Sequence, residues 1–429
     1  MKRNPDKYFH SIEIVEEKCI GCTICMKVCP TQAIRVKNEV AVTIPERCID
    51  CGECIRVCPQ NAIIPLTTEY QDLKKFKYTV ALPSPVLYSQ FGPDVMPNDI
   101  LLALKKIGFD DVYDQAWSCE VISKAIELFL EDKKHYRRPI ISSTCPAVVR
   151  LIQIRFPSLL DLIVPVEYPR ELSAKEIKSK ITDKLKIPEK DIGLIHITPC
   201  PAKMISIYEP PTREKSHLDG AIAIKDIYGA LLNALKDVTD SETILQRSGG
   251  IGIGWAISGG EVKGLKFENC LAVSGVKDTI RILEDVESGI LSGIEFLECL
   301  VCPGGCIRGP LTVQNPHIAR TRIEKLIKMF GEKSRVNEEK VKKLYKKGYF
   351  FFKKRIDAAP VMPLSKDPSE AIRILKRREE VLKELPGKDC GACGAPDCRT
   401  FAEDVAKGIA LIDECVFRII QKAEVKHKM

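Results

Sequence analysis

Cysteine carries most of the chemistry legible in this chain. Cys19, Cys22, Cys25 and Cys29 follow C-x2-C-x2-C-x3-C and run into Pro30. Cys48, Cys51, Cys54 and Cys58 repeat the spacing and run into Pro59. A cubane of iron and sulfide takes soft thiolates at its corners. One tight loop can supply three of them, and in a doubled run the fourth cysteine serves the other cluster. One [4Fe–4S] cluster is therefore expected on Cys19, Cys22, Cys25 and Cys58, the other on Cys48, Cys51, Cys54 and Cys29. Zinc is the weaker reading, because zinc sites rarely use a doubled triplet followed by Cys-Pro. A third set, Cys390, Cys393, Cys398 and Cys415, has the spacing C-x2-C-x4-C-x16-C, and zinc is its alternative. A fourth set is dispersed through the middle of the chain, in STCP, TPCPAK and CLVCPGGC. Cys119, Cys270 and Cys299 are left over; each reads as a small packed residue, with Cys119 a candidate for lining the central site and Cys299 an alternative ligand.

The dispersed cysteines need elements to bring them together. Four short apolar runs read as strands, Pro139–Ser142, Ile192–Thr198, Leu271–Ser274 and Ile294–Leu297, and three are followed closely by cysteine. Open α/β sheets place their sites at the C-terminal ends of strands, so Cys145, Cys200, Cys302 and Cys306 are expected to converge. Between the strands, Asn98 is expected to cap a helix carrying Ile100, Leu101, Leu104 and Ile107 and stopped by Gly108. Val121, Ile122, Ala125, Ile126 and Phe129 mark a second helical face. In the first sixty residues, β-prone segments (Ala33–Val36, Val40–Ile44) lie beside the cysteine runs. After Ile323 the chain turns basic and helical, then reaches a linker at Ala359–Pro363. Asp367 and Pro368 read as the cap and first residue of a helix whose apolar face is Ile372, Leu375, Val381, Leu382 and Leu385. A helix over Thr400–Ile412 is expected to return Cys415 to its partners.

Composition narrows the classes. The chain has 429 residues and 19 cysteines, too long for a disulfide-stapled mini-protein, and cysteines this closely spaced suggest metal. No apolar h-region follows the basic start and no long apolar run occurs, so neither a signal peptide nor a membrane span is expected, and a cytoplasmic location is. The formal charge of +8 invites a nucleic-acid reading. That count treats cysteine as neutral, whereas ligands are thiolates, and each four-thiolate [4Fe–4S] unit adds about −2. Lys342–Lys347 and Lys376–Arg378 read as solvated helix faces, and no nucleic-acid partner is expected. Gly249–Gly254 fits a nucleotide loop poorly.

Three resemblances rest on these residues. The first sixty residues resemble a bacterial two-[4Fe–4S] ferredoxin. Roughly residues 78–325 resemble the catalytic domain of [FeFe]-hydrogenases, through SSTCPAV, TPCPAK and ECLVCPGGC in order, with GFDDVYD and RSGGIGIGWAISGGE as further matching segments. The resemblance implies an H-cluster, a cubane joined to a di-iron unit, held by Cys145, Cys200, Cys302 and Cys306, with Cys306 bridging. It also implies that Lys203 and Ser84 donate to the iron-bound cyanides. The chain departs from the family pattern at several places. Thr144 stands where efficient members have a proton-relaying cysteine, Ser206 where they have a glutamate, and Thr198 and Leu300 where methionines pack the di-iron unit. The third loop continues as CIRGPLTVQNP and the segment after the glycine loop is shortened to GGEVKG. A threonine hydroxyl is far less acidic than a thiol near 8.5, so slow turnover is expected. The combination is similar to a divergent branch of the family read as hydrogen sensors. Last, LPGKDCGACGAPDCRTFAEDVAKG resembles the small [4Fe–4S] domain of corrinoid iron–sulfur proteins and electron-transfer complexes.

The expected fold is α/β and multidomain: an α+β ferredoxin domain over 1–72, a central α/β hydrogenase-like domain over 78–325, a basic helical linker over 326–368, and a small helical iron–sulfur domain over 369–429. The expected function is 2H⁺ + 2e⁻ ⇌ H₂, with three [4Fe–4S] clusters beside the H-cluster and a ferredoxin or other redox protein as partner. The alternatives are a hydrogen or redox sensor acting through a separate kinase, phosphatase or PAS protein, and a non-catalytic electron carrier.

Overall fold

Hydrophobic periodicity builds two sheets in the middle of the chain, and both are wholly parallel. The computed structural model describes residues 10–132, 136–238, 243–359 and 367–420; most of the linker expected at Ala359–Pro363 lies outside them. One compact unit spans Leu66–Ala358, and a second joins the two ends of the chain, Met1–Pro65 with Ala359–Met429.

In the central unit, a four-stranded sheet runs in the order Asp111–Val112, Tyr78–Pro83, Ile192–Thr198, Gly220–Ala223. A three-stranded sheet runs Cys270–Ser274, Phe296–Leu300, Ile140–Ile141. Ile192–Thr198 is buried along its whole length, as expected of a strand covered by helices on both faces. Because every pairing is parallel, the strands of each sheet deliver their following loops to one edge.

Several elements differ from the sequence expectation. The strand expected at Ile294–Leu297 is Phe296–Leu300, buried throughout; its Glu298 interrupts the apolar run, which hid its second half. The helix Pro97–Lys106 is not capped by Asn98. The Asp99 carboxylate accepts from the Met96 N–H at 2.8 Å, and Asn98 instead binds the backbone of Leu245 and Gln246. Residues 326–358 are no linker. The helices Pro316–Phe330 and Glu338–Lys346 belong to the central unit, and Val341 and Phe350 are buried in a core with Ile122, Ile126 and Phe129.

In the terminal unit, a hairpin of Ile34–Lys37 and Val40–Thr43 lies beside the short helices Ile24–Val28 and Glu53–Val57. The C-terminal segment packs on this module. Arg35, buried on the hairpin, forks onto Asp404 at 2.6 and 3.2 Å. Removing one partner of such a pair costs about 3–5 kcal/mol. The helix Pro368–Glu384 starts at Asp367, whose side chain accepts from the Ser369 N–H. Only Val381 and Leu385 of its expected apolar face are buried; Ile372 and Leu375 are exposed. The helix expected over Thr400–Ile412 ends at Ala406, before Gly408 with φ +70°, and a single turn at Ile412–Glu414 returns Cys415.

Candidate metal centres

The doubled cysteine runs form two cavities, each mixing residues of both runs. Cys19, Cys22, Cys25 and Cys58 line one, and Cys29, Cys48, Cys51 and Cys54 the other. The two halves repeat a detail that polarises the sulfurs. The Ala33 N–H donates to Cys29 Sγ at 3.2 Å, and the Ala62 N–H donates to Cys58 Sγ at 3.2 Å. Burial pushes the thiol of Cys25 up to about 11 and that of Cys51 to about 12. Such thiols stay protonated at neutral pH unless a metal displaces the proton, so the donor sets fit iron–sulfur clusters. The set at the other end is also gathered. Cys390 and Cys415 act electrostatically on Cys393, and Cys393, Cys398 and Cys415 pack around Phe401.

The central site is assembled from strand ends. Ile140–Ile141 leads to Cys145 and Ile192–Thr198 to Cys200. Each cysteine is followed by proline at the first position of a helix, Pro146–Arg155 and Pro201–Tyr208. Proline fits that position because its missing N–H has no partner to lose, and a helix N-terminus favours a thiolate. Phe296–Leu300 leads to buried Cys302 and then Cys306. Between them, Gly305 has φ +110° and a Cβ there would lie 2.5 Å from the Ser258 nitrogen, so the third loop presses directly on the glycine-rich segment. The loops are tied together. Leu311 N–H donates to Pro199 O at 3.0 Å, and the Val301 N–H donates to Cys145 Sγ.

Cys145, Cys200 and Cys306 share one interior. Burial raises the Cys145 thiol to about 11, with Cys306 adding to it, and Cys200 is raised by burial against the pull of Lys203. Lys203 reaches into this group, its Nζ 3.6 Å from Cys306 Sγ. Burial works to lower its pKa, and the three thiols outweigh it, leaving the ammonium favoured. Ser84 is buried one residue beyond Pro83, whose register partner Ile197 accepts the Ser84 N–H at 3.1 Å. It therefore sits at the same sheet edge as Cys200. A soft, buried thiol set with one ammonium fits an anionic iron–sulfur cofactor.

Sequence reasoning missed a carboxylate pair beside this site. Glu261 and Glu298 are buried, 3% and 1% exposed. Ser142 Oγ donates to Glu261 Oε2 at 2.6 Å, and Thr144 also acts on that carboxyl. Glu261 Oε1 has no hydrogen-bond partner among the described residues. Burial raises Glu298 as well, but it accepts backbone N–H bonds from Gly259 and Val262 at 2.9 and 3.1 Å, which favour its charged form. Burial and the Glu298 charge push Glu261 up to about 8. The pair thus holds its proton on Glu261. A glutamate inside GGEVKG was the available signal.

Two further groups were not singled out. Arg170, 3% exposed, donates to Ser206 Oγ at 2.8 Å and stacks over Tyr168. His196 is buried with Nδ1 on Leu82 O, and burial, Lys203 and Arg170 hold its pKa well below the ordinary value. Of the leftover cysteines, Cys119 and Cys299 are buried and Cys270 is half-buried. Lys203 and Glu261 both act on Cys119, which places this thiol near the site.

Comparison with known proteins agrees with this geometry. Residues 77–266 and 254–310 match the model of the iron only hydrogenase large subunit, C-terminal domain, over more than half the chain. The chain belongs to the iron-only hydrogenase family. Residues 11–59 match a 4Fe-4S dicluster domain, and 385–417 match an Fe–S cluster model. The chain is 25% identical over 370 residues to the periplasmic [Fe] hydrogenase large subunit of Nitratidesulfovibrio vulgaris, covering 72% of this chain and 87% of that one. Its last segment is 47% identical over 38 residues to the corrinoid/iron-sulfur protein large subunit of Moorella thermoacetica, 9% of this chain and 8% of that one. Among solved structures, an [FeFe]-hydrogenase variant from Chlamydomonas reinhardtii superposes with a TM-score of 0.53 at 14% identity, covering 68% of this chain and 98% of that one. The chain is therefore a hydrogenase-type iron–sulfur protein, with a ferredoxin-type N-terminal domain and a helical C-terminal iron–sulfur segment. No helix among the described residues is long and apolar enough to cross a membrane.

Proposed function

We propose that this member of the family interconverts protons, electrons and H₂ at Cys145, Cys200, Cys302 and Cys306, and does so slowly. The observation that carries the reading is the Lys203 ammonium at 3.6 Å from Cys306 Sγ, among three mutually coupled thiols. An H-cluster bound there would supply the iron chemistry of H₂ cleavage and formation. The protein's own residues do the rest. The four thiolates fix the cofactor at the edge where the strands end. Lys203 and Ser84 would donate to the cyanides of such a cofactor, and the Lys203 ammonium would offset its negative charge. Glu261 stores a proton beside Thr144, a carboxyl and a hydroxyl in place of a thiol. Proton transfer through a hydroxyl requires a concerted hop or a water, and this sets the slow rate. Twelve further cysteines in three sets would hold [4Fe–4S] clusters that exchange electrons with a ferredoxin or other redox protein.

The test is infrared spectroscopy on anaerobic protein matured with the di-iron cofactor. CO and CN⁻ bands that respond to H₂ are the expected result. Full cubane iron without such bands would overturn the reading and leave an electron carrier. Thr144 and Ser206, in place of the relay groups, favour a second reading in which the same site senses H₂ and signals through a separate kinase, phosphatase or PAS protein. Turnover that stays near zero in fully matured protein would select it. A cytoplasmic location is part of the proposal, argued from cysteines spaced for metal rather than for disulfides, and cell fractionation decides it against the periplasm named for the Nitratidesulfovibrio relative.

A further inference from the structure

The C-terminal cysteine set is not an isolated appendage. Its loop lies against the cavity of Cys19, Cys22, Cys25 and Cys58. Val36 lines that cavity, and its N–H donates to the carbonyl of Gly394 at 3.0 Å. Gly394 directly follows Cys393. It has φ +79°, and a Cβ there would lie 1.9 Å from Val36 O, so only glycine lets the two backbones meet. On the other flank, Lys27 donates to the carbonyls of Asp389 and Pro396, the latter at 2.7 Å. A Cβ at Gly391 would be 2.8 Å from the Lys27 side chain and 3.2 Å from that of Met26, the neighbour of Cys25. The cavity of Cys29, Cys48, Cys51 and Cys54 is reached differently. Gln32 bonds Asp397 and Arg47 bonds Glu403, through long side chains rather than backbone. The Arg35–Asp404 fork locks the whole arrangement.

We propose that the C-terminal segment is a built-in redox partner of the ferredoxin module, docked so that electrons pass between the Cys390, Cys393, Cys398, Cys415 site and the Cys19, Cys22, Cys25, Cys58 site. The proposal rests on the iron–sulfur reading of both thiol sets. The step is a single-electron exchange: one site is oxidised, the other reduced, and no bond or proton changes. Its contact is one residue thick, Gly394 against Val36, whereas residues beside the second ferredoxin-type site meet the C-terminal segment through side chains, Gln32 with Asp397 and Arg47 with Glu403.

Electron paramagnetic resonance of the full-length, dithionite-reduced protein, without di-iron maturation, tests this independently of hydrogen chemistry. The expected spectrum of the native protein shows splitting or broadening from spin coupling. Replacing Cys398→Ala should remove the part of the coupling that the C-terminal set contributes, leaving that between the two ferredoxin-type sites, with about four irons lost per chain. Arg35→Glu places a carboxylate against Asp404 and should weaken the coupling while iron content holds. The double variant Arg35→Glu with Asp404→Arg should restore it, which separates undocking from misfolding. A native spectrum that is the plain sum of independent clusters, or coupling unchanged in Arg35→Glu with iron intact, would overturn the proposal. Iron analysis alone, by failing to find four irons on the C-terminal set, would instead overturn the cluster reading on which it stands.

Discussion

The ferredoxin-type sites and the central site solve one problem in opposite ways. In the terminal unit, three thiols of each set come from a single tight loop, and chain reversal brings only the fourth. In the central unit, the four come from three loops, each launched by a different strand of two parallel sheets. The local design tolerates change in its surroundings, because the loop itself gathers the thiols. The dispersed design depends on the register of distant strands, and it gains an interior in which Lys203, Ser84 and Glu261 can be placed around one volume.

The largest expected effect breaks the dispersed site. Cys306→Ala removes the thiol beside Lys203 and should abolish CO and CN⁻ bands and H₂ turnover to the detection limit. Cys51→Ser, by contrast, should cost one cluster and leave its neighbour and the central site assembled, as iron content and paramagnetic resonance would report. If Cys51→Ser also emptied the central site, the two designs would not be independent. Next, Glu261→Gln should lower turnover about 10²-fold, the range of a lost proton-transfer group, with the infrared bands kept.

The same residue gives a stability prediction of definite sign. Its folded pKa of about 8 lies above the ordinary 4.5, so the folded state holds a proton that the unfolded state has released. Stability is full below about 4.5 and falls as pH rises toward 8. Glu261→Gln should flatten that slope in denaturant titrations at several pH values; an unchanged slope would show that Glu261 is not the buried proton store. Lys203→Met should lower cofactor retention about 10–100-fold, the effect of losing an outer-shell partner, read by infrared band intensity. The smallest change is Thr144→Cys, which should raise turnover severalfold if proton delivery limits the rate. Unchanged turnover in fully matured protein would place the limit elsewhere.

Legibility followed the same division. The crossed sharing of Cys29 and Cys58 was readable because the doubled spacing is itself the geometry. Cys145, Cys200 and Cys306 were readable only as strand-end cysteines and through resemblance. Glu298 was invisible, since a buried carboxylate in a strand looks like a break in the apolar run, and the strand was placed two residues early for that reason. Arg170 and His196 carry no pattern; their positions follow from helix and strand packing alone. Residues 326–358 looked like a linker because their charge is high, while the few apolar residues that anchor them, Val341 and Phe350, are far apart. The docking of the C-terminal segment was unreadable for a simpler reason: Arg35 and Asp404 are 369 positions apart.

That separation has a consequence for biosynthesis. The terminal unit is made of the first and last parts of the chain, with Leu66–Ala358 between them. At about 5–20 residues per second, the ferredoxin module waits roughly 15–60 s on the ribosome before the segment that covers Arg35 and Val36 is synthesised. Until the last segment arrives, Arg35 and Val36 lack the Asp404 and Gly394 partners that it brings, so a buried ion pair between distant parts of the chain can form only late in synthesis.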